Sequence, residues 1–211
     1  GVVVSEQGLV FTNHHCGYGA IQKLSSLERD ILKDGYAATD KESELAADGL
    51  TVSFVRSTED VTERILSQIP STLSELQRQQ AIDSISNVLI EQYDGDQFTQ
   101  VRVVPFYAGN QYYKVVYDVF RDVRLVVAPP SSVGKFGGDT DNWMWPRHTG
   151  DFSVFRVYAD KDNRPATYSK DNVPYTPKYV VPVSLAGYKE NDYAMTIGFP
   201  GTTKRYLSSW G

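Results

Sequence analysis

The sequence predicts a mainly β fold with helical insertions, an antiparallel barrel or sandwich, and three observations point there. Short runs rich in β-branched and aromatic residues recur along the chain, each bounded by Pro, Gly or Asn. Helical periodicity appears only in three stretches of the first half, inserted between such runs. Strands and helices do not alternate one for one, as a doubly wound parallel sheet requires.

The elements follow in order. Val2-Val3-Val4 and Leu9-Val10-Phe11-Thr12 flank a turn at Gly8, a residue that tolerates a left-handed conformation, and so read as a hairpin. A strand on the first residues predicts a pairing partner earlier in the protein, so further residues are expected upstream. Ile21, Leu24, Leu27, Ile31 and Leu32 recur at three and four, which predicts an amphipathic helix over about 20–33 ending at Gly35. A second helix is predicted over 61–69. Thr72 and Glu75 form a capping-box pattern ahead of Leu76, Ile82, Ile85 and Leu89, so a third helix is predicted over about 73–93, stopping before Asp94-Gly95-Asp96. Strands are predicted at Val52/Phe54, Val101/Val103, Tyr113/Val115/Tyr117/Val119, Phe152/Val154, residues 179–183 and residues 194–197.

Composition narrows the function. The 211 residues are 41% hydrophobic and 12% aromatic, enough to bury a sizeable core. With a net charge of -5 and basic residues scattered among acids, the chain offers no basic face for nucleic acid. No apolar stretch approaches the roughly 20 residues of a spanning helix. Cys16 is the single cysteine, which argues against a disulfide framework and against a thiolate metal cage.

Chemistry concentrates in two places. In Thr12-Asn13-His14-His15-Cys16-Gly17-Tyr18-Gly19, two of the three histidines follow a strand and precede a helix. Histidine is the natural general base near neutral pH, and a strand end is a rigid place to aim one. Hydrogen-bonded structural histidines are the plain alternative. A metal site built from His14, Cys16 and His148 is weaker, since neighbours on a strand point to opposite faces and no further ligand stands at zinc-type spacing. Asp94-Gly95-Asp96 and Asp160-Lys161-Asp162-Asn163 lack the Gly and Glu of a calcium loop and read as turns.

The second place is residues 134–151, a long Gly-, Asp- and Trp-rich loop that feeds a strand. Loops of that length in compact domains are commonly functional. Asp151, followed by Phe152, Val154 and Phe155, is expected to be partly buried, and a buried carboxylate needs a partner. Arg147, Arg156 or a histidine would serve. Trp143 and Trp145 are core candidates on composition alone.

These segments carry a family resemblance. Thr12-Asn13-His14-His15-Cys16 resembles the Thr-x-x-His-Cys motif of trypsin-like serine peptidases, with His15 in the place of the catalytic base and Asp151 in that of the orienting acid. Residues 12–22 and 137–158, together with Ile197-Gly198-Phe199-Pro200-Gly201-Thr202-Thr203, are similar to the bacterial dipeptidyl-peptidase 7 and 11 family, peptidase family S46.

The resemblance implies a chymotrypsin-like antiparallel β-barrel, the first barrel of a double-barrel peptidase. Residues 1–211 would be the N-terminal part of its catalytic domain, with the second barrel and a helical domain outside them. It implies release of dipeptides from the free N-terminus of peptides, a homodimer, and a periplasmic, outer-membrane-associated or secreted location. No cofactor and no metal are implied. Asn142 and Trp143 would help hold the substrate's amino terminus. Cys16 would pair with a cysteine at or before residue 1. No Gly-x-Ser-x-Gly or Gly-Asn/Asp-Ser-Gly motif occurs in the 211 residues, which predicts that the nucleophilic serine and the specificity pocket lie beyond Gly211 and that these residues alone are inactive. The alternatives are a peptide-binding module without the serine, or a metal-dependent hydrolase using His14, His15 and His148.

Overall fold

The computed structural model describes residues 1–135 and 149–195. Strands β1 (Val2–Val3) and β2 (Leu9–Thr12) form the expected hairpin, with Val2 opposite Phe11 and Val3 opposite Val10. Gly8 closes it at φ +66. Helix α1 (His14–Leu24) begins directly after β2 and is followed by the single turn α2 (Ile31–Asp34). The one helix expected over about 20–33 is therefore two. Ser25 leaves the helix in an extended conformation, its hydroxyl donates to the Ile21 carbonyl and accepts from the Leu32 N–H, and Asp30 caps the new turn. Leu27, counted in the apolar stripe, is fully exposed in the intervening loop.

Next come β3 (Tyr36–Ala37), β4 (Leu45–Ala46), β5 (Val52–Asp60), α3 (Thr62–Leu66), α4 (Glu75–Glu91), β6 (Thr99–Phe106), β7 (Gln111–Phe120) and β8 (Asp122–Ala128). A 3-10 turn (Tyr107–Gly109) between β6 and β7, the short turn α5 (Ser131–Gly134), β9 (Ser153–Ala159) and β10 (Val173–Pro174) complete the described elements. The capping box of α4 is formed by Ser74 and Gln77, two residues later than the expected Thr72 and Glu75. Residues 179–183 form no strand. Tyr179 is 88% exposed, and the segment meets β1 through one bond, Val181 N–H to Val3 carbonyl at 2.9 Å. Residues 194 and 195 are likewise outside any strand, while residues 196 and 197 lie outside the described residues.

Every strand pairing among the described residues is antiparallel. One sheet runs β1-β2-β9-β8-β3, with β10 beside β9 and β4 beside β8; the other runs β5-β7-β6. Neither closes on itself among the described residues. Val10, Val157 and Ala159 of the first sheet pack with Phe120 and Tyr175, against which Phe54 of β5 also rests, so the two sheets share a core. Ile21 of α1 and Ile31 of α2 bury against Val123, Leu125 and Phe155. Helices α3 and α4 cover the second sheet through Ile65, Ile82 and Leu89, packed with Val61 and Tyr112.

Candidate active site

The pairing of β2 with β9 builds the site. Thr12 lies opposite Ser153, so residues just after Thr12 and just before Ser153 emerge at the same end of the ladder. This places Asn13, His14 and His15 beside Asp151, although 136 positions separate His15 from Asp151 in the chain. Gly17 lets α1 approach β9 closely, since a Cβ there would stand 2.7 Å from the Ser153 hydroxyl oxygen. That hydroxyl, fully buried, donates to the Asn13 carbonyl at 3.0 Å and ties the helix start to the strand.

The Asp151 carboxylate is saturated with donors. Oδ2 accepts from His15 Nδ1 at 2.6 Å and from Asn13 Nδ2 at 3.2 Å, and Oδ1 accepts from the His15 backbone N–H at 3.0 Å. The nearby His14 backbone N–H also favours the charged carboxylate. Asn13, the residue at the N-cap, makes no side-chain bond to its own helix. Asp151 takes over that task from a distant part of the chain and satisfies N–H groups that would otherwise be orphaned at the start of α1. Burial pushes its carboxyl up, but the hydrogen bonds from the His15 backbone and ring, with the His15 charge, prevail and hold it below its usual 3.8. It is an anion at neutral pH.

His15 is aimed outward. Its side chain is 71% exposed against 24% for Asp151. With Nδ1 committed to the carboxylate as donor, Nε2 is the nitrogen left to accept a proton. His14 is the reverse case: it is 1% exposed, and its Nε2 has no hydrogen-bond partner among the described residues. Desolvation lowers its pKa from 6.5 against the raising effect of the Asp151 charge, so it is neutral.

Both histidines stand in the first turn of α1, not on the strand end that the sequence suggested. Cys16 is free and exposed. Arg156 does not meet Asp151; its Nε donates to Glu44 at 2.8 Å, and Tyr158 donates to the other Glu44 oxygen at 2.8 Å. Asn142, Trp143, Arg147 and His148 lie outside the described residues. Among the described residues no group of three or more His, Cys, Asp or Glu is placed to hold a metal ion. Sequence reasoning missed Asn13 and Ser153. An Asn before a helix reads as an ordinary cap, and nothing local marks its long-range partner.

Known proteins share this frame. A family profile described as Peptidase S46 matches residues 1–211. The chain is 58% identical over 211 residues to dipeptidyl-peptidase 7 of Porphyromonas endodontalis, covering all of this chain and 26% of that protein. It is 50% identical over 208 residues to the Asp/Glu-specific dipeptidyl-peptidase of Flavobacterium psychrophilum, covering 99% of this chain and 29% of that protein. The crystal structure of Porphyromonas endodontalis DPP11 in complex with substrate superposes with a TM-score of 0.78 at 47% identity, over 90% of this chain and 28% of that one. The chain thus spans less than a third of the proteins it matches.

Proposed function

Because the chain belongs to the Peptidase S46 family, we propose that it carries the general base, His15, and the orienting acid, Asp151, of a serine-type dipeptidyl peptidase. The observation that carries this reading is the 2.6 Å contact between His15 Nδ1 and Asp151 Oδ2, made by an exposed imidazole and a carboxylate fixed by backbone donors. Asp151 holds the ring in the tautomer that leaves Nε2 as acceptor and stabilises the imidazolium that follows. His15 Nε2 takes the proton of a serine hydroxyl as its oxygen attacks the scissile carbonyl, then returns it to the leaving amine. The serine and its oxyanion donors come from a part of the protein outside these residues, since none of the serine motifs occurs within them. In this reading the first sheet and its neighbour belong to the first of two chymotrypsin-like barrels.

The substrates are peptides with a free N-terminus, from which dipeptides are released, and Asn142 and Trp143 hold the α-amino group. Relatives of both names, dipeptidyl-peptidase 7 and Asp/Glu-specific dipeptidyl-peptidase, match at 50% identity or more, so the substrate class is drawn at the level they share. The full-length protein is read as a homodimer acting outside the cytoplasm.

Hydrolysis of dipeptidyl chromogenic substrates by the full-length protein tests the reading. His15→Ala and Asp151→Asn should each lower kcat by roughly 10³ to 10⁴-fold, because a misoriented or missing base leaves only binding and oxyanion stabilisation. The 211-residue chain alone should release no dipeptide. Full activity of Asp151→Asn, or turnover by the isolated chain, would overturn the assignment.

A further inference from the structure

The His15–Asp151 pair leaves one buried group of the same motif unused. His14 is almost completely buried, and its Nε2 is unpaired among the described residues. An unpaired buried nitrogen is unfavourable, so no hydrogen bond at Nε2 keeps the ring in place, and packing acts on it directly. A Cβ on Gly134 would stand 2.5 Å from His14 Cδ2 and 2.6 Å from Cγ, which puts the imidazole hard against the backbone of α5. Tyr18 meets the ring from within α1, with centroids 6.0 Å apart at 70°. The Lys135 ammonium lies 5.7 Å from the centre of that tyrosine ring.

These contacts close a circuit that returns to Asp151. Val133, adjacent to Gly134, accepts from Thr149 Oγ1 at 2.9 Å and from the Gly150 N–H at 3.0 Å. Gly150 directly precedes Asp151, whose carboxylate accepts from the His15 backbone N–H and ring Nδ1. Helix α1, turn α5 and the segment before β9 are therefore linked in a ring, with the His14 imidazole as the spacer between the two helical pieces.

We infer that His14 is a positioning residue: its buried ring sets the distance between α1 and α5 and thereby fixes the Asp151 carboxylate against His15. It acts through Asp151, by shape. This inference rests on the proposed function for its kinetic consequence only; its structural consequence stands apart.

The test uses the full-length protein with His14→Ala, Gly134→Ala and the double variant. His14→Ala removes the spacer, and Gly134→Ala pushes a methyl group into it. Each should lower kcat about tenfold or more while KM stays within about threefold, the pattern of lost transition-state organisation. Because both changes act on one contact, the double variant should lose no more than about threefold beyond the worse single, far from the product of the two losses. Hydrogen exchange read by mass spectrometry supplies the second measurement: the His14 and His15 amides should exchange about tenfold faster in His14→Ala, with α4 unchanged. Multiplicative losses in the double variant overturn the inference, as does exchange at those amides within about twofold of the parent. If the parent releases no dipeptide, the proposed function falls, and the exchange measurement still decides the role of His14.

Discussion

Asp151 and His14 respond to acid in separate windows, and the sign of each follows from its surroundings. Asp151 is held below 3.8 in the fold, so the stability it lends is present above that value and is lost as pH falls through the lower folded value. His14 is lowered from 6.5 by burial, so between 6.5 and its folded value the unfolded chain binds a proton that the folded chain refuses. Stability therefore begins to fall below 6.5, well before the carboxylate matters. Replacing the imidazole with a ring that cannot titrate removes the first of these losses and leaves the second. His14→Phe should show a smaller drop in urea-unfolding free energy than the parent between about pH 7.5 and pH 5.5, whatever its stability at the upper pH. The slope is the readout, because the larger ring against Gly134 shifts the absolute value through packing. Parallel slopes in the two proteins would show that His14 is not held neutral.

Helix α4 shows how a local pattern can be right in kind and displaced in place. Thr72-x-x-Glu75 and Ser74-x-x-Gln77 both satisfy the capping-box rule, and the fold uses the second. Ser74 Oγ accepts from the Gln77 N–H at 3.4 Å, and Gln77 Oε1 accepts from the Ser74 N–H at 3.0 Å. Ser74→Ala should cost about 1 kcal/mol and speed exchange of the first α4 amides, whereas Thr72→Ala should do neither. Equal effects of the two would place the cap at Thr72 after all. The hairpin β1-β2 and the strands β5, β6, β7 and β9 were legible because their residues alternate or cluster between breakers. Strand β8 was not, because Asp122, Val123, Arg124 and Leu125 are buried in succession and no alternation survives. Its polar members are buried as a pair, with Arg124 Nε and Nη2 donating to the two Asp122 oxygens at 3.0 and 2.9 Å. Strands β3, β4 and β10 are two residues long and leave no periodicity to read. Residues 179–183 erred the other way: Tyr179, Val181 and Val183 alternate, yet all three are exposed. At the site, the motif made the contact of His15 with Asp151 legible, but the break in the 20–33 helix and the bond from the His15 backbone N–H to Asp151 depend on groups that no local pattern pairs.

Among the described residues of the whole molecule, the β2-β9 ladder places three things at one end: His15, Asp151, and the stem formed by Val133, Thr149 and Gly150. The stem is closed by Thr149 and Gly150 on the Val133 carbonyl, immediately before Asp151. Under the proposed function, holding the substrate's amino terminus at a set distance from His15 and Asp151 is what would count residues along a peptide. A free α-amino group titrates near about 8 and is largely cationic at neutral pH, so it calls for oxygen acceptors such as the Asn142 side chain, with Trp143 as an apolar or cation-facing wall. Acetylation removes both the charge and two of the donors while leaving the scissile bond untouched. In the full-length protein, kcat/KM for an N-acetylated dipeptidyl substrate should be lower than for the free amine by about 10²-fold or more, since an unpaired acceptor left in a binding site is strongly disfavoured. Asn142→Ala should lose activity chiefly on the free-amine substrate and so narrow the ratio between the two, with unfolding changed by less than about 1 kcal/mol. Equal cleavage of the acetylated and free-amine substrates by the parent would show that the amino terminus is not gated, and a ratio unchanged in Asn142→Ala would take the gate away from Asn142.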